Sequence, residues 1–467
     1  MELDHASIGR IRRANLIRVA LNDLKRDAQT AACEAGVSAV AVGELLDPSR
    51  DVSQRDLLDL ALALSHRYPL SLRDLIPIED DAPTGVRTMT QRESTLTTRR
   101  FSRCGIEYYE YLDTAMTRAA MFRPELLRML VNVNDNSADN PAVSWNNGHF
   151  LFQLTYFIGD VNYYHEFNGK RYCFEMNDGD AAIGMPYCRH SFTSRRTDGE
   201  NAILALTFGG RLPGDPQQEL SLLGPELAGR FVLDGSTPDA SIASKIDFYR
   251  NRLSLTIEEL AGRLNMTITE LTSSLTDAAT LSDCQLKHIA DVLHVTPTAL
   301  QPSPDVRGQM GVYIARKRDS RVWNFPGDAK PIYRVRELCG TKAVHGAVGL
   351  EMTLLDGTAN ADTDRKDYLE HGLHQYGYVV GADQMDLEWI HEGVSRRQRL
   401  NHGDSFYCKP FVKHRFVAPD NSRSGDRRVV LLRIPGKLGP DQLDEATTLG
   451  ADAIQRLISD TTQWYSA

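Results

Sequence analysis

Apolar positions recur at helical spacing from about Ala14 to Pro77. Leu16, Ala20 and Leu24 share one face, Gly36 interrupts, and Asp56-Leu57-Leu58-Asp59-Leu60-Ala61-Leu62-Ala63-Leu64 restarts the pattern before Pro69. A compact helical unit is predicted there, either a helix-turn-helix-like domain or a packing and dimerisation module. A polar, Pro/Gly/Thr-rich linker is expected from Glu79 to Thr98, then an extended aromatic segment from Arg99 to Tyr111. A helical or irregular insertion is expected near Pro124 to Met129. His149-Phe150-Leu151-Phe152-Gln153-Leu154-Thr155-Tyr156-Phe157-Ile158 is dense in aromatic and branched residues and stops at Gly159-Asp160, which predicts a strand. Side chains four apart on a strand share a face, so His149 and Gln153 project together.

The pattern then repeats. Gly403-Asp404-Ser405-Phe406-Tyr407-Cys408-Lys409-Pro410-Phe411-Val412-Lys413-His414 aligns with Gly179 to His190 in its Gly, Asp, Pro and His terms, at an offset of 224 (414 against 190). Each copy follows a His-Glu pair, His165-Glu166 and His391-Glu392, and Ile246 to Pro302 repeats the helical rhythm of the first unit. Two tandem halves are predicted. In the second, His374 and His414 are placed opposite His149 and His190 with a one-residue gap, and Tyr378 falls opposite Gln153. That alignment predicts a degenerate copy supporting an active first half. Lys25, eleven residues before Gly36, has Ser254 as its counterpart, eleven before Asn265.

Composition narrows the classes. At 467 residues the chain is too long for one core. No apolar run approaches membrane-spanning length, and Met1-Glu2-Leu3-Asp4-His5 lacks the form of a signal peptide, so a cytoplasmic protein is expected. Seven scattered cysteines without a CxxC pair read as reduced thiols. A net charge of -9 works against a long nucleic-acid surface, and the candidate recognition helix Val37 to Leu46 has no Lys or Arg. A DNA-binding regulator is the more distant alternative.

Two imidazoles and one oxygen donor, His149, His190 and Gln153, suit a non-haem Fe(II) site with positions left open for substrate and O2. Zinc sites more often use three histidines or a carboxylate. The other reading of these three residues is a hydrogen-bonded polar cluster in the core. A neutral amide leaves the metal more positive than a carboxylate would, favouring a dianionic substrate.

The segment Gly179 to His190 has the G-D-x5-P-x3-H form of the cupin turn and strand that carry a late histidine ligand. With Asn146-Asn147-Gly148-His149 and Tyr187-Cys188-Arg189-His190-Ser191, the whole chain resembles the hydroxyethylphosphonate dioxygenase and methylphosphonate synthase family. The resemblance implies an α+β fold, a tandem repeat of a small helical domain followed by a cupin β-barrel. The expected ranges are 1-78 and 79-215 for the first helical domain and barrel, then 216-305 and 306-467 for the linker with second helical domain and the second barrel. Dioxygenases of the family take a carboxylate ligand from a Glu six residues before the second histidine, where this chain has Gly184. The synthase branch uses a Gln four residues after the first histidine, the place of Gln153. Arg103, in a segment where Cys104 replaces the family's Asp, would pair with phosphonate oxygens, and Tyr111 and Asn146 would hydrogen-bond to them. Lys25 matches a lysine lent to a neighbouring subunit, implying a homo-oligomer. The implied reaction cleaves 2-hydroxyethylphosphonate with O2. The synthase branch yields methylphosphonate and CO2, and the dioxygenase branch hydroxymethylphosphonate and formate. A hydroxypropylphosphonate epoxidase fits less well without the carboxylate.

Overall fold

The computed structural model describes residues 5–302, 310–327, 329–340, 344, 346–355, 368–419, 425–459 and 462–465. The expected boundary between 305 and 306 lies outside them. The chain forms two compact units, one of residues 1–209, 310–341 and 345–467, the other of residues 210–309 with 342–344.

In the larger unit α1 (His5–Asp23), α2 (Ala28–Ala35), α3 (Ala39–Leu46), α4 (Gln54–Arg67) and the short α5 (Leu72–Leu75) come first. Their core gathers Ile17, Leu21, Val42, Leu45, Leu60 and Leu64. Asp27 caps α2 by accepting from Thr30 N, and Ser53 caps α4 by accepting from Asp56 N. Gly36 ends α2 in the left-handed conformation at φ +69°.

Strands follow: β1 (Val86–Met89), then after α6 (Gln91–Leu96) β2 (Arg99–Arg103), β3 (Ile106–Asp113), β4 (Phe122–Met129), β5 (Phe152–Ile158), β6 (Val161–Phe167), β7 (Lys170–Met176), β8 (Ala181–Gly184), β9 (His190–Ser194) and β10 (Ala202–Phe208). The expected linker therefore holds a strand and a helix. The expected insertion at Pro124 to Met129 is instead part of β4. Pro124 lies beyond the last residue of β4 paired with β3, so its missing N–H leaves no β3 carbonyl unanswered.

The smaller unit holds α7 (Asp215–Ala228), α8 (Pro238–Arg252), α9 (Ile257–Arg263), α10 (Ile268–Thr276), α11 (Asp283–Leu293) and α12 (Pro297–Leu300). It packs Ile242, Ile246, Leu260, Leu271, Ile289 and Leu293 together.

The larger unit resumes with β11 (Val312–Ala315), β12 (Val322–Phe325), β13 (Tyr333–Glu337), β14 (Val348–Leu354), β15 (His374–Val379), β16 (Met385–His391), β17 (Val394–Leu400), β18 (Ser405–Cys408), β19 (Lys413–Val417) and β20 (Arg428–Ile434), then α13 (Pro440–Leu449) and α14 (Ala451–Ser459). The fold is α+β with antiparallel sheets. One seven-stranded sheet runs β11-β8-β5-β10-β4-β3-β2 and the other β1-β18-β15-β20-β14-β13-β12, orders that correspond strand for strand. Three-stranded sheets β7-β6-β9 and β17-β16-β19 accompany them. Each large sheet takes its outermost strand from the other half: β1 pairs with β18, and β11 with β8. Between the sheets Arg336 and Glu351 form a buried ion pair, and Arg336 donates to Gly179 O at 2.8 Å. Among the described residues no helix is long and apolar enough to cross a membrane.

Candidate metal centre

His149 does not lie on the strand expected for it. It sits in the loop before β5, where Gly148 turns the chain at φ +73°. The turn is tight because Tyr187 crosses it: a Cβ on Gly148 would stand 2.6 Å from the Tyr187 carbonyl carbon. Tyr187 N also donates to His149 O at 2.8 Å, tying the segments that carry His149 and His190 together. The meeting of His149 with Gln153 thus comes from this loop and not from strand alternation.

Three donors converge. His149 Nε2 lies 3.2 Å from Gln153 Oε1, and the rings of His149 and His190 stand 5.2 Å apart at 84°. His149 Nδ1 donates to Leu151 O at 2.8 Å and His190 Nδ1 to Cys188 O at 3.0 Å. A carbonyl oxygen can only accept, so Nδ1 carries the proton in both rings and each Nε2 keeps a lone pair. Gln153 Nε2 donates to Thr155 Oγ1 at 2.9 Å, which turns the amide oxygen toward His149. Two acceptors, His149 Nε2 and Gln153 Oε1, therefore face each other with no proton between them. A cation resolves that arrangement, and the residues present fit a metal. Burial pushes the His190 imidazolium down to about 3, so this ring is neutral and ready to ligate at neutral pH.

Gly184 pairs with Gln153 across the β5–β8 ladder and contributes no side chain; a Cβ there would meet Tyr163 Oη at 3.3 Å. Thr155, Tyr163 and Met185 line the same cleft. Neither Thr155 nor Tyr163 was singled out from the sequence, although Thr155, two residues after Gln153 on one strand, shares its face. His165 is buried behind Tyr163, its Nδ1 3.2 Å from Tyr163 Oη. Among the described residues no group of three His, Cys, Asp or Glu side chains could hold a metal, so this set depends on the glutamine.

The other expected residues divide. Asn146 stands at the centre: its Nδ2 donates to His190 Nε2 at 2.9 Å, and its Oδ1 accepts from His190 N at 2.8 Å. Arg103 lies close by, donating to Ser144 O at 2.7 Å and to Ser191 Oγ at 3.3 Å, with its guanidinium 4.9 Å from the Tyr109 ring centroid. Among the described residues no carboxylate pairs with it. Tyr111 packs its ring 5.9 Å from Tyr109, and burial raises its phenol above the ordinary value. Lys25 is not brought to the cleft within one chain; it is exposed, with its ammonium 5.2 Å over the Trp464 ring. All seven cysteines are free.

The alignment of the second half needs correction. His374 does not correspond to His149, nor Tyr378 to Gln153. His374 stacks on Tyr407 and lies 2.6 Å from its Oη, and Tyr378 pairs with Ser405 farther along β15. Gln375 pairs with Cys408 as Gln153 pairs with Gly184, and His371 lies four residues before Gln375 as His149 does before Gln153. The offset is 222 in this segment and 224 at His414, so aligning on the later histidine alone misplaced the earlier ones.

No family model matches the chain. It is 35% identical over 457 residues to the methylphosphonate synthase of Nitrosopumilus maritimus strain SCM1, covering 97% of this chain and 96% of that protein. The structure of the Streptomyces albus 2-hydroxyethylphosphonate dioxygenase with 2-hydroxyethylphosphonate and Fe(II) bound aligns with TM-score 0.88 and 33% identity, over 98% of this chain and 99% of that one. A hydroxyethylphosphonate dioxygenase variant at 19% identity shares the fold, with TM-score 0.71 over 98% of this chain and 100% of that one. With near-complete coverage in both directions, the chain belongs to the methylphosphonate synthase family.

Proposed function

We propose that the chain is an Fe(II)-dependent oxygenase that cleaves the C–C bond of 2-hydroxyethylphosphonate with O2 and forms methylphosphonate, with CO2 or bicarbonate as the other product. The observation that carries this reading is the neutral donor set: Gln153 Oε1 faces His149 Nε2, while its ladder partner Gly184 supplies no carboxylate. Overall likeness does not choose between the two outcomes of the family, since a synthase and a dioxygenase are 35% and 33% identical to this chain.

His149, Gln153 and His190 would hold the metal, which when bound supplies the oxygen-dependent redox chemistry. All three are neutral, so the site keeps its full positive charge for a dianionic phosphonate. Arg103, fixed by Ser144 O and the faces of Tyr108 and Tyr109, offers the phosphonate oxygens a guanidinium that no carboxylate among the described residues pairs with. Asn146 and Tyr111 would add donors, and binding would exchange the Asn146 bond to His190 for bonds to metal and substrate. With no side chain at Gly184, the one-carbon fragment would stay beside the phosphonate-bearing carbon, next to Tyr163 Oη, and give it hydrogen. Lys25, exposed over Trp464, would reach a cleft only in a neighbouring subunit, which makes the active enzyme a homo-oligomer.

The architecture in this reading is a tandem repeat of helical domain and cupin barrel over 1-78, 79-215, 216-305 and 306-467. The matched strand orders support it, as do the left-handed backbones shared by Lys25 with Ser254 and by Gly36 with Asn265. Free cysteines favour a reducing compartment, the cytoplasm. Against a DNA-binding role, α3 carries Glu44 and no basic residue. The test is anaerobic reconstitution with Fe(II), then 2-hydroxyethylphosphonate and O2, read by phosphorus NMR. Methylphosphonate is expected; hydroxymethylphosphonate as the only phosphonate product overturns the synthase assignment.

A further inference from the structure

The second large sheet carries a counterpart of the first cleft. His371 Nε2 lies 3.1 Å from Gln375 Oε1, and the rings of His371 and His414 stand 5.7 Å apart at 85°. The first cleft has 3.2 Å, 5.2 Å and 84° for the same measures. Ladder neighbours correspond as well, with one substitution. Gln153 pairs with Thr207, and Gln375 pairs with Arg433. Opposed residues on an antiparallel ladder project to one side of the sheet, so a guanidinium enters the second cleft where a small hydroxyl flanks the first.

The hydrogen bonds are distributed differently in the two clefts. Leu373 N donates to His371 Nδ1 at 3.4 Å. Arg433 Nε donates to Gln375 Oε1 at 2.8 Å. Gln375 Nε2 donates to His414 Nε2 at 2.9 Å, and His414 Nδ1 donates to Val412 O at 2.9 Å. The lone pairs of Gln375 Oε1 and His414 Nε2 that would face a metal already accept hydrogen bonds. In the first cleft Gln153 Oε1 and His149 Nε2 face each other unanswered. Turning the Gln375 amide to free its oxygen would set its NH2 against the Arg433 N–H, donor against donor, so the arginine fixes the closed arrangement. Among the described residues no carboxylate offsets the Arg433 charge, which a divalent ion beside it would have to overcome.

We propose that the second sheet holds a complete His–Gln–His metal-ligand set in which the Arg433 guanidinium occupies the role of the ion, and that removing this guanidinium opens a second site for a divalent transition metal at His371, Gln375 and His414. Two imidazoles and an amide oxygen suit Fe(II), Co(II) or Zn(II). The assignment concerns this cleft alone and does not depend on the substrate or product of the first.

The test loads the full-length chain with Co(II), removes excess metal by desalting, and counts cobalt per chain by elemental analysis with the visible Co(II) spectrum as a second readout. An H149A/H190A background keeps the first cleft out of the count. That background is expected to retain no cobalt. Adding R433T, the residue type of the first cleft, or R433M, which keeps length without charge, is expected to bring the count to one. Adding H414A to either returns it to zero. One cobalt per chain with Arg433 intact, removed by H414A, overturns the proposal. So do folded R433T and R433M chains that bind none. Should both variants unfold, refolding with Co(II) must restore the native circular dichroism spectrum, because the metal is claimed to replace the guanidinium; no restoration is equally fatal. Failure of the phosphonate assay leaves all these counts unchanged, so the two readings fail separately.

Discussion

Thr155 decides which end of the Gln153 amide faces His149, and T155V isolates that role. The substitution keeps the branched shape and removes only the hydroxyl that accepts from Gln153 Nε2 at 2.9 Å. Thr155 is 3% exposed and Gln153 9%, so water does not readily replace the lost acceptor. A buried donor left unpaired costs about 1–3 kcal/mol. The amide can escape that cost by rotating, which presents NH2, a group that cannot ligate, where the oxygen had been. Loss of a group that orients a ligand lowers metal affinity roughly 10–100-fold. That range corresponds to about 1.4–2.7 kcal/mol, inside the cost of the unpaired donor. The assay is anaerobic competition for Fe(II) or Co(II) against a chromophoric chelator, with thermal melts of the metal-free chains as a folding control. T155S, which keeps the hydroxyl, should bind as the unaltered chain does. T155V binding within about twofold of the unaltered chain would refute the claim that Thr155 sets the amide.

Two further outcomes follow from the same geometry. G148A should destabilise the metal-free chain by about 1–3 kcal/mol and displace His149, because a Cβ at φ +73° would lie 2.6 Å from the Tyr187 carbonyl carbon. G105A, also at positive φ but with nothing within 4 Å of its Cβ, should leave Co(II) binding unchanged, and equal metal loss in both variants would contradict the steric argument. For pH, burial lowers His190 and His414 to about 3 and His165 and His371 to about 4, below the ordinary 6.5. The unfolded chain then binds these protons first, so stability falls as pH drops below about 6.5, by about 1.4 kcal/mol per histidine at one unit lower. Urea midpoints of the metal-free chain that do not move between about pH 7.5 and 5.5 would exclude this.

Patterns of local origin were legible in the sequence. The helical unit and its buried Ala20, Leu60 and Leu64 follow from apolar spacing, although α1 buries Ile17 and Leu21 where Leu16 and Leu24 were expected, and the extended aromatic run is present but folds back at Cys104-Gly105 into the β2–β3 hairpin. The misread segments were those whose conformation is set from a distance. Pro124 signals a break by itself, yet a ladder with one open side accommodates it. The Glu79 to Thr98 stretch reads as a linker because its pairing partner, β18, lies more than 300 residues away.

The ligand set divides in the same way. From the sequence, His149, Gln153 and His190 were expected as a donor group with no carboxylate, on residue identity and on the resemblance of their segments to the family's ligand segments, while a polar core cluster stood as the other reading. The sequence also established the repeat through Gly179 to His190 and Gly403 to His414. Only the tertiary structure decided that His149 reaches Gln153 from a loop held by Tyr187, and that Thr155 turns the amide oxygen toward His149 Nε2. It alone aligned His371 and Gln375 with the first pair, since ladder register depends on which strands meet. The presence of Arg433 in the second cleft was invisible for the same reason: β20 is brought beside β15 by the sheet, and no spacing along the chain records it.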